Sequence, residues 1–431
     1  MKRVPFFACL LGIGLTASLV SGCGGGGGSS SLPTTAPTAQ PSSTPHPSPT
    51  PQQPTPTPTP VPTAAPASSV SAALPNDPHI MGSQSAGFSI IGNAPFTLTA
   101  TPLDATGKPI TGVIAPTITA SSSSTAVTLA QTSATTFTLE VHAFSATPVQ
   151  VTLTPSRGTG STFNVTTVQE LWVTNFANGT GTTMTGYAPA VGILAPIDTY
   201  TQQNNDISAP DAVAVDASGN LWVANVGGGN VIALAPGGTP IPADMITMGL
   251  APPTALAFDG SGKLWVTNGV GTTITAYVPG TNTVANTISG LSCPFGLAFD
   301  SSGTLWVANA GANEVLAYAS GSTTPIANDT ITTNVSDPVA VELDGQGNIW
   351  VANFNINTVT AYATATGAQV TADTITAVNA PRALTFDAHG TLWVSNSSTN
   401  TVNAYQPGTN APIVADTITG LNDPAGLVFV P

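Results

Sequence analysis

The chain has 431 residues, with 20 acidic side chains against 6 basic ones, a net charge of −14 and only 6% charged residues. So little basic surface cannot neutralise phosphates, which excludes nucleic acid as a partner. Solubility must rest on Thr, Ser, Asn and Gly, a composition that suits an exported β-protein better than a cytosolic helical one.

The chain opens with Lys2 and Arg3, an apolar run from Val4 to Val20, and then Ser21-Gly22-Cys23. This has the form of a secretory signal and is too short for a good membrane span. Leu19-Val20-Ser21-Gly22-Cys23 resembles the lipobox of bacterial lipoproteins. The resemblance implies a signal peptide over 1–22 and lipidation of Cys23, so that acyl chains anchor the mature chain without its spanning the membrane. The protein is then expected in the cell envelope, facing the periplasm or the exterior.

Residues 23–77 are a glycine run followed by Ser/Thr/Pro repeats such as TPTPTPTP. With no apolar periodicity and almost no charge, they cannot bury enough to offset chain entropy and are expected to form a disordered stalk. In a polyproline II conformation of about 3.1 Å per residue, the stalk would lift the folded part of the chain by roughly 100 Å or more.

Residues 78–168 read as short alternating strands, among them FTLTATP, TFTLEVHAF and PVQVTLTP, spaced by turn residues. The rhythm predicts a β-sandwich. It resembles bacterial immunoglobulin-like domains in strand pattern, without the Cys, Trp, Cys spacing of antibody domains, and implies a spacer module.

Residues 169–431 repeat a motif of type LWVAN at Leu171, Leu221, Leu264, Leu305, Ile349 and Leu392, at spacings of 50, 43, 41, 44 and 43 residues. That is the period of propeller blades, and all six tryptophans of the chain lie in it. Each repeat reads as four strands: a lead strand opening on proline, an Asp-x-x-Gly turn, LWVAN, a V-x-A-Y strand, and an outer ADTIT strand. The turn aspartates, from Asp216 to Asp387, are expected to cap a type I turn closed by a left-handed glycine. The tryptophans are expected in the core, since mid-strand placement in every repeat argues against sugar platforms. Asp244, Asp329, Asp373 and Asp416 recur on the outer strand, where charge would oppose edge-to-edge pairing.

Lead strands begin at Pro210, Pro253, Pro294, Pro338, Pro381 and Pro424, whereas the first LWVTN has none before it. The simplest arrangement pairs Ala425–Val430 with Leu171–Asn175. The predicted fold is therefore all-β: a six-bladed β-propeller closed by its C-terminal strand, preceded by the sandwich and the stalk.

In such a ring, a ligand would be sought where the LWVAN strands end and the lead strands begin. The residues there are Asp211, Asp337, Arg382 and Asp423, with Cys293, and the asparagines Asn225, Asn309 and Asn353. The asparagines recur in every repeat and are expected mainly to hold their own loops. The string SGNLWVAN resembles the NHL-repeat type of propeller. Two enzyme families look similar, the gluconolactonase and senescence-marker group and the virginiamycin B lyases. The first implies a channel metal, but its early Glu-Gly-Pro motif is absent. The second implies a catalytic histidine, whereas His79 and His142 precede the ring and His389 occupies a hairpin turn.

The expectation is thus a monomeric binding or scaffold module for a protein, peptide or glycan of the envelope or exterior, with no cofactor and no membrane contact beyond the lipid. The alternative is a metal-dependent lactonase or lyase, with a divalent cation at the channel mouth on Asp211, Asp337 and Asp423.

Overall fold

The computed structural model describes residues 66–111, 117–281, 283–409 and 411–430. The signal segment, Cys23 and nearly all of the expected stalk lie outside them. Among the described residues, no helix is long and apolar enough to cross a membrane.

Nine strands come first: β1 (Ser69–Ala73), β2 (Ile80–Ser83), β3 (Gly87–Ile91), β4 (Phe96–Leu103), β5 (Ile118–Ser122), β6 (Val127–Gln131), β7 (Thr136–Val141), β8 (Val149–Pro155) and β9 (Ser161–Val168). They form two sheets, ordered β1-β4-β7-β6 and β2-β3-β9-β8-β5. Alternation makes each sheet two-faced: in β4, Phe96, Leu98 and Ala100 are buried while Thr97 and Thr99 face water. The inward residues of both sheets, including Leu98, Phe137, Val151 and Val165, share one core.

The boundary expected at residue 78 is too late. Strand β1 lies in the segment assigned to the stalk, pairing Ser69 with Leu103 and burying Val70 to 1% exposure. Its single buried valine carries little pattern, and the pairing with β4 together with the Gln84 amide, which bonds Val70 O and Ala72 N–H, holds it in place.

The remaining strands are β10 (Glu170–Asn175), β11 (Thr183–Ala188), β12 (Ile193–Thr201), β13 (Pro210–Val215), β14 (Leu221–Asn225), β15 (Asn230–Leu234), β16 (Pro253–Phe258), β17 (Leu264–Asn268), β18 (Thr273–Val278), β19 (Thr283–Ser289), β20 (Pro294–Phe299), β21 (Leu305–Asn309), β22 (Glu314–Tyr318), β23 (Pro338–Leu343), β24 (Asn348–Asn353), β25 (Thr358–Ala363), β26 (Gln369–Ile375), β27 (Pro381–Phe386), β28 (Leu392–Asn396), β29 (Thr401–Tyr405), β30 (Pro412–Ile418) and β31 (Pro424–Val430). They make the sheets β13-β14-β15, β16-β17-β18-β19, β20-β21-β22, β23-β24-β25-β26 and β27-β28-β29-β30, and one further sheet, β12-β11-β10-β31, that joins both ends of the region. In that sheet Leu171 pairs with Phe429 and Trp172 with Val428. The lead strands pack on one another in the order β13, β16, β20, β23, β27 and β31, and β31 packs back on β13.

Two of these sheets have three strands, not the four expected of every repeat. Between β15 and β16, Pro240 and Pro242 lack the N–H a ladder needs, and the chain makes a 3-10 turn over Pro242–Asp244 with only isolated bridges to β15. Past β22 there are likewise only isolated bridges, at Pro325 and Ile331. Asp244 and Asp329 therefore sit in turns, and an edge-guarding role remains for Asp373 on β26 and Asp416 on β30.

The hairpin turns join local chemistry to packing. One oxygen of Asp216 accepts the backbone N–H groups of Ser218 and Asn220 at 2.8 and 2.9 Å, with Gly219 at φ +80°. The other oxygen accepts the Trp222 indole N–H at 3.0 Å, and the same bond joins Asp259 to Trp265, Asp300 to Trp306, Asp344 to Trp350 and Asp387 to Trp393. All six tryptophans are at most 5% exposed. Removing up to ~200 Å² of each from water is worth roughly 4–6 kcal/mol gross. Trp222, Trp265, Trp350 and Trp393 also meet Phe258, Phe299, Phe386 and Phe429 of the next lead strand edge-on, at 5.6–6.0 Å between ring centres.

Candidate functional site

The six lead strands surround a cavity of about 350 Å³. Its wall is mostly backbone, Ala, Gly, Val and Leu. One layer is set by register: Ala214, Ala257, Ala298, Glu342, Thr385 and Val428 are each paired with the tryptophan of their own sheet. Glu342 thus places a carboxyl where three other strands place a methyl group. No hydrogen bond from a described residue reaches it, and burial pushes it up to about 8. Burial favours its protonated form, a hydrogen-bond donor among backbone and small side chains.

At the mouth, Arg382 joins two of the expected residues. Its guanidinium bonds Asp211, reaches Asp423 Oδ2 at 3.3 Å, and lies 4.4 Å from the centre of the Phe176 ring. All three ionic side chains are buried. Burial pushes the Asp211 carboxyl up, and the Arg382 charge opposes that shift. Arg382 starts on β27 and Asp211 on β13, so the cation bridges across β31, which lies between them.

Asp337 stands outside this triad. Its Oδ2 is buried with no partner, and burial pushes it up to about 6. It precedes Pro338 in the left-handed region at φ +48°, as do Ala209, Cys293, Ala380 and Asp423 before their prolines. A short polar side chain is among the few that tolerate this conformation, so backbone geometry accounts for aspartate at two of these positions.

The asparagines hold loops. Asn225, Asn309 and Asn353 accept the backbone N–H of Ser208, Ser292 and Ser336 at 3.0, 2.7 and 3.0 Å, fixing the segment that leads into the lead strand of the same sheet. They are at most 3% exposed, so they do not offer themselves to a ligand. His389 donates its backbone N–H to Asp387 and sets its ring against Phe144 at 5.6 Å.

A divalent cation on Asp211, Asp337 and Asp423 does not fit these side chains. Two of them already face a guanidinium, whose charge would repel the ion, and the third lies apart. Among the described residues, the one group able to converge on a metal is His79, Glu170 and Asp198, with ligand atoms within 4.8 Å of one another. It lies between the N-terminal sheets and the sheet of β10. In the sequence, His79 precedes the repeats and so stands apart from the ring, and Glu170 and Asp198 belong to no recurring motif. A signal is nevertheless present: each other LWVAN tryptophan has an aspartate six residues earlier, whereas Trp172 has only Glu170 close by.

In this group, His79 Nδ1 lies 2.7 Å from Asp77 Oδ1 and Nε2 lies 3.2 Å from Asp198 Oδ2. Burial opposes charge on the imidazole, but the bonds to Asp198 and Asp77 outweigh it and raise His79 to about 9. Burial pushes Glu170 up to about 8 against the attraction of His79.

Residues 166–270 match the family described as SMP-30/Gluconolactonase/LRE-like region. No curated protein matches the chain. Among solved structures, one from a nidogen/laminin complex is 13% identical over 61% of this chain and 98% of its own, with a TM-score of 0.50. Virginiamycin B lyase from Staphylococcus aureus is 13% identical over 73% of this chain and 96% of its own, at 0.44. A streptogramin B lyase is 14% identical at 0.39, over 46% of this chain, which spans 65% of that protein. The repeat, the sheet order and the family match together make this an all-β protein whose LWVAN region has a propeller-type fold similar to the SMP-30/gluconolactonase group.

Proposed function

We propose that residues 169–431 form a six-bladed propeller closed by β31, and that its axial cavity binds a protein, peptide or glycan of the envelope or exterior. The chain acts as a monomeric lipoprotein held by Cys23, with its binding module carried outward by the stalk and an immunoglobulin-like sandwich. The observation that carries the binding reading is the cavity itself, in which the unpaired Glu342 carboxyl stands among backbone and small side chains, with the Asp211 and Arg382 pair at the mouth. Among the described residues, its lining holds no histidine, cysteine or serine. A space of this size lies at the low end for small-ligand sites and suits a single apolar side chain or one sugar unit with a hydrogen-bond acceptor for Glu342.

The lactonase reading requires a cation that the Arg382 triad opposes. The test is to probe peptide and glycan arrays with the full chain and with Glu342→Leu. We expect a bound class whose affinity falls tenfold or more in the variant. Chelator-sensitive opening of a lactone by the wild type would overturn the binding reading.

A further inference from the structure

The sheet containing β10 departs from its five companions at the position beside its tryptophan. Where the others have Ala233, Ala276, Ala317, Ala361 and Ala404 beside the LWVAN tryptophan, this sheet has Gly186 beside Trp172. The backbone of Gly186 does not demand glycine, since its φ is not positive. Space demands it: a Cβ there would stand 2.0 Å from Glu170 Oε1. On the other side, a Cβ on Gly92 would stand 2.7 Å from Glu170 Oε2. Gly186, together with Gly92, whose φ of +71° calls for glycine in any case, thus leaves room for one carboxylate.

That carboxylate is incompletely satisfied. Glu170 is 4% exposed, and its Oε1 has no hydrogen-bond partner. An orphaned buried carboxylate oxygen is costly and calls for a donor or a cation. Beside it is a cavity of about 10 Å³, lined by His79, Glu170, Asp198, Trp172 and Tyr200 among others, with room for roughly one water or ion.

We propose that His79, Glu170 and Asp198 bind a divalent first-row transition metal ion, zinc foremost, that fastens the N-terminal sheets to the β10 sheet. One imidazole nitrogen and two carboxylate oxygens are a donor set for such an ion, whereas an all-oxygen set would suit calcium or magnesium. Metal bonds of about 2.0–2.2 Å in a tetrahedral site put ligand atoms roughly 3.4 Å apart. The 3.2 Å between His79 Nε2 and Asp198 Oδ2 is already close to that separation. Asp77 on Nδ1 supports the imidazole orientation in which Nε2, now facing Asp198, would coordinate once an ion displaces its proton, the usual outer support of a metal-bound histidine. The site is separate from the axial cavity and does not depend on what that cavity binds.

The full chain, stripped with chelator and dialysed, is titrated with zinc chloride alone, following heat, retained metal and melting temperature. We expect one ion retained per chain and a rise in melting temperature of several degrees. His79→Gln and Asp198→Asn should each weaken binding tenfold or more. Gly186→Ala alters no ligand and installs the residue that the other five sheets carry, so it keeps the fold while its Cβ displaces the Glu170 carboxylate; it too should lose zinc. The proposal is overturned by no retained ion and no melting shift, as expected if the imidazolium alone joined the two parts. It is equally overturned by unchanged zinc binding in the histidine or glycine variant, or by a response to calcium that zinc does not give.

Discussion

The sheet that joins both ends of the repeat region and the five continuous sheets solve one problem in two ways. Each must bury a tryptophan in LWVAN and find an acceptor for its indole N–H. In the continuous sheets, the acceptor comes from the turn between lead strand and LWVAN, six residues before the tryptophan. In the joined sheet, the lead strand is β31, from the far end of the chain, so no such turn exists. Glu170 stands there instead, two residues before Trp172; burial pushes its carboxyl up, and the charge of His79 and the nearby indole oppose that shift. Joining distant strands removes a local turn, and the carboxyl that stands in its place is buried and short of partners.

The comparison is broken most severely by removing residues 422–431. Without β31, β10 loses its neighbour, and Leu171, Trp172 and the face of β13 are exposed. We expect a loss of about 5 kcal/mol or more, comparable to the whole stability of an average domain. A melting transition that keeps its midpoint and steepness would refute the clasp.

Next in size is Arg382→Leu, which leaves Asp211 and Asp423 buried without their cation. Breaking a buried pair from one side costs about 3–5 kcal/mol, while Arg382→Met combined with Asp211→Leu should recover the share that Asp211 carries, with Asp423 still lacking its cation. Denaturant midpoints of the single and double variants check this. Equal losses in both would mean that packing against Phe176, not charge, dominates the seam.

A smaller loss is expected in a continuous sheet. Asp300→Ala removes the acceptor of two backbone N–H groups and of the Trp306 indole, for about 1–3 kcal/mol. The turn aspartates also set an acid limit. Burial raises Asp259, Asp300 and Asp344, but bonds from the indoles, side chains and backbone prevail and hold all three below the usual carboxylate range. Their contribution is fully present above the ordinary value of about 4 and is lost as pH falls through their lower folded values. A melting temperature flat down to strongly acidic pH would contradict that assignment.

The last effect, confined to alkaline pH, is the pH dependence carried by Glu342. Its folded value, about 8, lies above the ordinary 4.5, so the unfolded chain gives up this proton first and stability falls as pH rises between the two. Glu342→Gln should therefore melt above the wild type at about pH 9 and near it at about pH 5. A gap of equal size at both values would show that the variant acts through shape alone.

Much of the architecture was legible because repetition supplied its own control. Six copies of LWVAN at a steady period marked the strands, the Asp and Gly of each turn, and the buried tryptophans, since each reading had to hold in every copy. What failed to repeat was harder to read. Strand β1 was hidden beside a proline-rich tract, and in one of the three-stranded sheets the outer strand is broken where Pro240 and Pro242 lack an N–H. The indole bond was missed because an aspartate already explained by its turn gave no reason to look for a second partner. At the channel mouth, Asp211, Arg382 and Asp423 were picked out as unusual residues, but their mutual neutralisation depends on which sheets lie side by side.

By itself, the sequence determined an all-β chain of repeated sheets, because strand alternation and turn chemistry act over a few residues. The meeting of His79 with Glu170 and Asp198, and the chamber that Gly92 and Gly186 leave for a carboxylate, were decided only in three dimensions. They bring together residues far apart along the chain, and the space between such residues is fixed by how whole sheets pack.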